Sequence, residues 1–382
     1  MKVLYLNPGS SALGGAERSL ALLVQGMVSR GHEVFVEVFV PGDASRLFAD
    51  AGATVLNRAV RLDRVRRHGT ATSFIAGAAR SAPTVLRLAS LVRDDAVQLQ
   101  ADIVHSNGFR THLLAPLLRR GHLRQVWSLR DRAPRRSQRA VLAAASVAVD
   151  AVVANSGFTA RQLTWRRGLV HVVPNPVAAG RARPRSAARV KLGLPEDRKI
   201  VAVVAHLHPS KGHHVAVEAM ARWTEGDRPL LAIAGAPLYG KASSDYQAQL
   251  DRLVASYGLD RDVVLLGGVT DVDVLYSAAD VVIQPAVYPE GFGRVVVEAQ
   301  LAGVPVVATA IGGTTELIDH GASGLLVPPG DAAALRSATS RALYDAELAA
   351  RLVNGGRSAA SVFSTERHVD AVEKVYSRVL SR

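Results

Sequence analysis

The chain has 382 residues, 48% hydrophobic and 21% charged, with a formal net charge of +13. That apolar content is too high for a disordered chain, and at about 150 residues per domain the length points to two domains. There is no cysteine, which excludes a disulfide framework, a thiolate metal site and a cysteine nucleophile together.

In chain order, the first half reads as a strand Val3–Asn7, a helix from about Ala16 to Arg30 ended by Gly31, and a strand Glu33–Val40. Further strands are expected at Ile103–His105, Gln125–Leu129, Ala151–Ala154 and Val170–Val173. The second half reads as strands Ile200–His206, Leu230–Ala234, Val263–Leu266, Val281–Gln284, Val304–Ala308 and Gly324–Val327, with a last helix from about Thr365 to Leu380. Short apolar runs separated by helix-length segments imply buried parallel strands joined by helical crossovers. Pro174-Asn175-Pro176 and the stretch Gly180–Ser186 lack periodicity and read as the joint between the halves. The expected division is 1–178, a linker 179–195, 196–364, and a last helix 365–382. In doubly wound sheets ligands bind beyond the carboxyl ends of the strands, so those ends are where function is sought.

Charge is uneven. Residues 1–190 hold 28 Lys and Arg against 11 Asp and Glu, whereas residues 191–382 hold 18 against 22. The basic residues cluster as Arg58, Arg61, Arg64, Arg66 and Arg67, then Arg119, Arg120, Arg124, Arg130, Arg132, Arg135, Arg136 and Arg139. The asymmetry reads either as a surface for an anionic partner or as an Arg-rich solvated face. Nucleic acid is not expected, because no aromatics interleave with these clusters to stack bases. No apolar run reaches the roughly 18 residues that span a bilayer. The chain opens on a strand rather than a charged-then-apolar leader, so a soluble cytoplasmic protein is expected, with peripheral contact at the inner face of the membrane as a further expectation.

The chemistry-bearing segment is Tyr288-Pro-Glu290-Gly291-Phe292-Gly293-Arg294-Val-Val-Val-Glu298, running to Gly303. It leaves a strand end and starts a helix near Gly293. Gly291 and Gly293 allow close backbone approach, and the first helical turn offers unpaired amides. Arg294 sits in that turn, where the helix dipole disfavours a cation by up to about 1 kcal/mol. Lys211, after Ser210 (read as a helix N-cap), is a second cation at a helix start beyond a strand. Two such cations beside two carboxylates suggest a phosphate-bearing ligand whose hydroxyls need acceptors. The histidines His206, His208, His213 and His214 lack the H-E-x-x-H spacing of a zinc site, so no metal is expected. His105, at a strand end, reads as an active-site group or as a buried, hydrogen-bonded ring. Asp131 reads as an acceptor contact or a cap, and Glu17 as a ligand contact or a cap.

The order Gly14-Gly15-Ala-Glu17-Arg18, Asp102-Ile-Val-His105, Asn155-Ser156, Val173-Pro-Asn-Pro176, the E-x7-E pair Glu290 and Glu298, Gly312-Gly313-Thr-Thr-Glu316 and Gly324–Asp331 resembles the retaining GT-B glycosyltransferases of family 4. The resemblance implies an α/β GT-B fold of two Rossmann-like domains facing across a cleft, with the last helix crossing back to the first. It implies a hexosyltransferase-type activity that moves a sugar from a nucleoside diphosphate to an acceptor hydroxyl by a front-face mechanism, without a cofactor or metal.

The same resemblance assigns roles. Lys211, His105 and Glu290 would be catalytic. Gly14, Gly15, His206, Gly267, Val269, Gly291, Phe292, Gly293, Arg294 and Glu298 would bind the donor, and Asn107 and Asp131 the acceptor. That acceptor would be a sugar, a lipid-linked or membrane-located glycan, or a natural product. Two positions depart from the family pattern: His206 stands where an Arg is common, and Asn107 where a second His often follows His105. The alternatives are a nucleotide-sugar epimerase on the same architecture, which a donor incubated alone would reveal, and a non-catalytic glycosyltransferase-like binding subunit. A nicotinamide oxidoreductase is disfavoured, since Gly9 and Gly14 do not form the tight G-x-G-x-x-G turn. On this reading Glu298→Ala is expected to abolish donor use with little loss of folding.

Overall fold

The computed structural model describes residues 1–9, 13–60, 71–118, 123–131, 133, 136–238 and 241–382. Arg61, Arg64, Arg66, Arg67, Arg119, Arg120, Arg132 and Arg135 lie outside the described residues. The chain divides into two units, Met1–Pro176 with Ser364–Arg382, and Val177–Phe363.

Among the described residues the first unit holds seven strands, β1 (Lys2–Asn7), β2 (Glu33–Val38), β3 (Thr54–Asn57), β4 (Ile103–Ser106), β5 (Arg124–Leu129), β6 (Ala151–Ala154) and β7 (Val170–Val172). They pair in the order β3-β2-β1-β4-β5-β6-β7, all parallel. The second holds β8 (Ile200–Val204), β9 (Leu230–Ala234), β10 (Val263–Gly267), β11 (Val281–Gln284), β12 (Val306–Thr309) and β13 (Leu325–Val327), in the parallel order β10-β9-β8-β11-β12-β13. The strand order reverses between β1 and β4 and between β8 and β11. These are the switch points at which connections leave to opposite faces and a crevice opens at the carboxyl edge.

Central strands are apolar throughout because helices cover both faces. Val201, Val203 and Ile283 pack on one face of the second sheet, and Ala202, Val282 and Val306 on the other. The sequence reading names neither β3, whose Thr54-Val-Leu-Asn57 is short and half-buried, nor the helix Ala71–Gln98, which contains Pro83. β12 begins at Val306 rather than Val304, because Pro305 has no amide to donate and serves only through its carbonyl, which accepts from Val282 N at 2.9 Å.

The segment 179–195, expected to be a linker, instead carries the helix Arg185–Leu192, ended by Gly193 in the left-handed conformation. Arg189 is buried on it, donating to the Ala278 carbonyl at 3.1 Å and to Asp280 at 2.7 Å. The segment therefore belongs to the second unit's core. Its high Arg content reflects internal pairing, not a solvated tether.

The helix Thr365–Leu380 packs Val369, Val372, Val375, Tyr376 and Val379 into the core formed by Val3, Tyr5, Leu20, Leu23 and Met27. Each such side chain contributes about 1.5–3 kcal/mol, so the five match the whole stability of an ordinary domain, about 5–15 kcal/mol. Deleting residues 364–382 is expected to unfold the first unit, seen as rapid proteolysis of residues 1–176. A truncated chain that melts like the full one would contradict this packing.

Of the described members of the Arg clusters, Arg58, Arg124 and Arg130 hold internal partners. Arg58 pairs with the buried Glu37 at 3.0 Å and with Asp95, and Arg124 lies 3.6 Å from Asp150. Among the described residues no helix is long and apolar enough to cross a membrane.

Candidate active site

Three loops meet at the carboxyl edge of the second sheet. The loop after β8 is stitched to its neighbour by Ala205 N to Ala234 O at 3.0 Å and Leu207 N to Ala236 O at 3.1 Å. His208, not Ser210, caps the short turn Pro209–Lys211, accepting from Ser210 N at 3.2 Å. Ser210 is a tie instead of a cap: its carbonyl accepts from Val287 N at 3.0 Å and Tyr288 N at 3.3 Å, joining this loop to the one after β11. The join requires Gly212, with φ +72°, because a Cβ there would lie 1.8 Å from the Pro285 carbonyl oxygen.

The loop after β11 is held from its other side by the Gly312–Glu316 turn that follows β12. Gly313 N donates to Glu290 O at 2.9 Å, and a Cβ on Gly313 would lie 2.2 Å from Gly291 O. Gly293 then starts the helix Arg294–Ala302, which Gly303 ends.

This stitching brings Lys211 Nζ to 2.5 Å from Glu290 Oε1, with both side chains about one-fifth exposed (22% and 21%). Arg294 reaches Glu298 Oε1 at 2.9 Å one helical turn on, and Glu298 Oε2 accepts from the buried Tyr276 hydroxyl at 2.8 Å. The two cations at unfavourable helix-start positions are thus each matched to one carboxylate of the E-x7-E pair. The ion pairs offset the dipole penalty and leave a mixed-charge surface at the β8/β11 switch point.

Phe292 is only 4% exposed and packs edge-on against Phe363, with ring centroids 5.5 Å apart. Its side chain is core, which leaves only its backbone for the ligand contact expected of it. Gly267, with φ +66°, ends β10 and accepts from Gly235 N at 2.8 Å, while Val269 packs half-buried beside it. Thr314 and Tyr276 were not read from the sequence as site residues. Thr314 Oγ1 is buried without a hydrogen-bond partner and lies 3.1 Å from where a Cβ on Gly293 would be. The doublet Thr314-Thr315 after two glycines was its only sequence signal, and Tyr276 had none.

His206 lies half-buried in the β8 loop. Burial first, then Lys211 and His208, push its pKa down to about 4, so it is neutral at pH 7. It cannot stand in for an always-charged arginine.

In the first unit, Gly14 caps the helix Gly15–Ser29, and its amide donates to Glu17 Oε2 at 3.0 Å, so Glu17 caps the helix start. The expectation that His105 meets the reacting sugar is corrected. His105 is fully buried, its Nδ1 2.5 Å from the Tyr376 hydroxyl and its Nε2 2.8 Å from Ser128 Oγ, and burial holds its pKa well below the usual value. Both ring nitrogens are committed, so it is a core histidine joining β4, β5 and the last helix. Asn107 is 2% exposed and accepts from Arg130 Nε at 2.5 Å, whereas Asp131 is exposed beyond β5. Among the described residues no group of three or more His, Asp or Glu is gathered as a metal site.

Burial also pushes His112 and His368 down to about 3 and His213 to about 4. Unfolded, all would titrate near 6.5. The unfolded chain takes up protons below that pH while the folded chain does not, so their stabilising contribution is full above about pH 6.5 and is lost as pH falls toward 4. The melting temperature is expected to drop steadily between pH 7 and 4.5. A flat profile would mean that these rings are hydrated in solution.

Two all-parallel Rossmann-like sheets, one carrying paired cations and carboxylates at its switch point, define the GT-B class. The chain aligns with the Anabaena protein Alr3699/HepE in complex with UDP at a TM-score of 0.81, 24% identical, over 99% of this chain and 100% of that one. With sucrose-phosphate synthase of Thermosynechococcus elongatus the TM-score is 0.79 at 22% identity, over 100% and 99%. At these identities the likeness is one of fold.

The sequence model described as Glycosyl transferases group 1 matches residues 184–359, and that described as Glycosyltransferase Family 4 matches residues 13–181. Between them the two cover nearly the whole chain, which belongs to glycosyltransferase family 4. The D-inositol 3-phosphate glycosyltransferase of Salinispora arenicola is 37% identical over 213 residues, 54% of this chain and 47% of that relative. Its counterpart in Mycolicibacterium smegmatis is 40% identical over 200 residues, 52% and 44%. The chain spans about half the length of the curated relatives it matches.

Proposed function

We propose that this protein transfers a sugar from a nucleoside diphosphate to an acceptor hydroxyl, with retention of anomeric configuration and without a metal or cofactor. The observation that carries this reading is the double pairing at the β8/β11 switch point, Lys211 with Glu290 and Arg294 with Glu298. The bound UDP of Alr3699/HepE and the activity named for the inositol-phosphate relatives support it, and make UDP-sugars and polyol acceptors the first to test.

The acceptor oxygen bonds to the anomeric carbon on the face from which the diphosphate leaves, the carbon–oxygen bond to phosphate breaks, and the acceptor's proton passes to a leaving phosphate oxygen. Lys211 turns from Glu290 to the diphosphate, where negative charge grows, and the amides of Gly291 to Arg294 face the same oxygens. Glu290, released, accepts from sugar hydroxyls, and Glu298 from the ribose. His206, neutral, adds no fixed charge, so the diphosphate depends on Lys211. Gly267 and Val269 lie by the base, and Gly14-Gly15, Asn107 and Asp131 belong to the acceptor-side unit.

The test is a mass-spectrometric screen of nucleotide sugars, with and without chelator, for protein-dependent release of nucleoside diphosphate and sugar-bearing product. No release with any donor and a range of polyol, glycan and lipid acceptors would end the reading. Cytoplasmic placement with peripheral membrane contact belongs to the same proposal; salt-sensitive binding to vesicles containing anionic lipid is expected, and none at low salt would remove that part.

A further inference from the structure

The strands of the first sheet are parallel, so the segments leading into β5, β6 and β7 arrive at one edge, the amino edge. It lies opposite the carboxyl edge that holds Asn107 and Asp131. Each of the three segments presents an apolar side chain to solvent. Leu117, in the helix Ala115–Leu118, is 36% exposed, Val147, in the turn Ser146–Ala148, 54%, and Trp165, in the kinked turn Arg161–Leu169, 53%. Apolar residues exposed singly are ordinary, but these are joined. The helix Ala115–Leu118 packs against the turn Ser146–Ala148. Arg166 donates to the Ser146 carbonyl at 3.4 Å and lies 5.4 Å from the centre of the Trp165 ring, tying the tryptophan to that same turn.

Charge on this side of the unit is almost all of one sign. Residues 115–176 hold 11 Arg and no Lys against 2 Asp and no Glu. Of the two acids, Asp150 lies 3.6 Å from Arg124 and accepts from Gln125 N, and Asp131 stands beyond β5 at the far edge. The end of the last helix brings further cations, Arg378 and Arg382, near His171 of β7, whose pKa is lowered first by burial and then by their field. A tryptophan, aliphatic side chains in water and arginines with long apolar stems match one environment, the interface of an anionic bilayer. A nucleic acid calls for several stacking rings, and of the three tryptophans Trp127 and Trp223 are buried.

We propose that Leu117, Val147 and Trp165, with the arginines around them, dock the first unit onto the surface of an anionic membrane. This rests on the membrane contact proposed above and deepens it by naming the surface. Apolar insertion and polybasic attraction are each weak alone, and together they hold a protein at a bilayer. Docking by the amino edge leaves the carboxyl edge of the sheet uncovered, so the acceptor-side loops stay in water.

The experiment mixes the full chain with phosphatidylcholine vesicles, with and without phosphatidylglycerol, and reads tryptophan emission and co-sedimentation. Trp127 and Trp223 are 1% and 5% exposed, so a change in emission reports Trp165. Expected with phosphatidylglycerol are a blue shift, loss of acrylamide quenching and reversal of both by salt, with no change on phosphatidylcholine alone. Trp165→Ser and Val147→Asp alter exposed side chains, so both should fold, and each is expected to weaken co-sedimentation at least about tenfold. Tyr257→Ser, at an exposed aromatic of the second unit, should leave it unchanged. Co-sedimentation with unmoved emission, or undiminished in both variants, would overturn the proposal and leave membrane contact to another surface. No co-sedimentation at low salt would end both. A stronger blue shift with an oligonucleotide, or one that appears on self-association without vesicles, would assign the surface to nucleic acid or to a second copy instead. Nucleoside diphosphate release without vesicles, expected to be unchanged in both variants, reports the proposed activity separately.

Discussion

Replacing Lys211 by methionine is expected to lower kcat/KM for the sugar nucleotide by about two to three orders of magnitude, most of it in kcat. A cation positioned against charge that grows on the leaving group acts chiefly in the transition state, and loss of one such contact costs about 10²–10³ in rate. Lys211 is placed for this by Gly212, which alone allows the β8 loop to lie against Pro285, and by the two amides that Ser210 O ties down. Stability should hardly move. The Lys211–Glu290 pair is about one-fifth exposed on both sides, where ion pairs contribute about 0–1 kcal/mol. Loss of activity with an unchanged melting temperature is therefore the expected signature. A fall in kcat/KM of less than about threefold would show that Lys211 does not face the diphosphate.

Glu298→Ala is expected to be as damaging to turnover, by about 10² or more, and here the structure revises the sequence expectation of little loss in folding. Glu298 Oε2 is the acceptor for the Tyr276 hydroxyl, which is buried on the helix Val272–Ala278. Removing it strands that hydroxyl at a cost of about 1–3 kcal/mol and takes one partner from Arg294. The variant should melt lower as well as fail to use donor. Adding Tyr276→Phe removes the stranded group, so the double variant should regain stability while remaining inactive. If the double variant regains turnover too, Glu298 acts only by holding Tyr276 and contacts no ribose.

The parallel sheets were legible because buried strands are written as short apolar runs: twelve strands could be placed from such runs, and β3 was missed where Thr54-Val-Leu-Asn57 carries too little burial to show one. The E-x7-E segment was legible for a similar local reason. Its glycines, its charges and the helix they start lie within sixteen residues, and backbone geometry alone brings Arg294 to Glu298. The linker was misread because an amphipathic arginine helix and a solvated tether look alike until Asp280, some ninety residues away, is seen to receive Arg189.

By itself, then, the sequence determined the alternation of strands and helices, and the residue types able to grip a phosphorylated sugar. Only the tertiary structure decided which of them meet: Lys211 with Glu290, Glu298 with Tyr276, and His105 with Tyr376 rather than with a ligand. Periodicity and turn chemistry act over a few residues and can be read along the chain. Partnership between side chains some eighty or 271 positions apart depends on strand order and loop register, which no local pattern encodes.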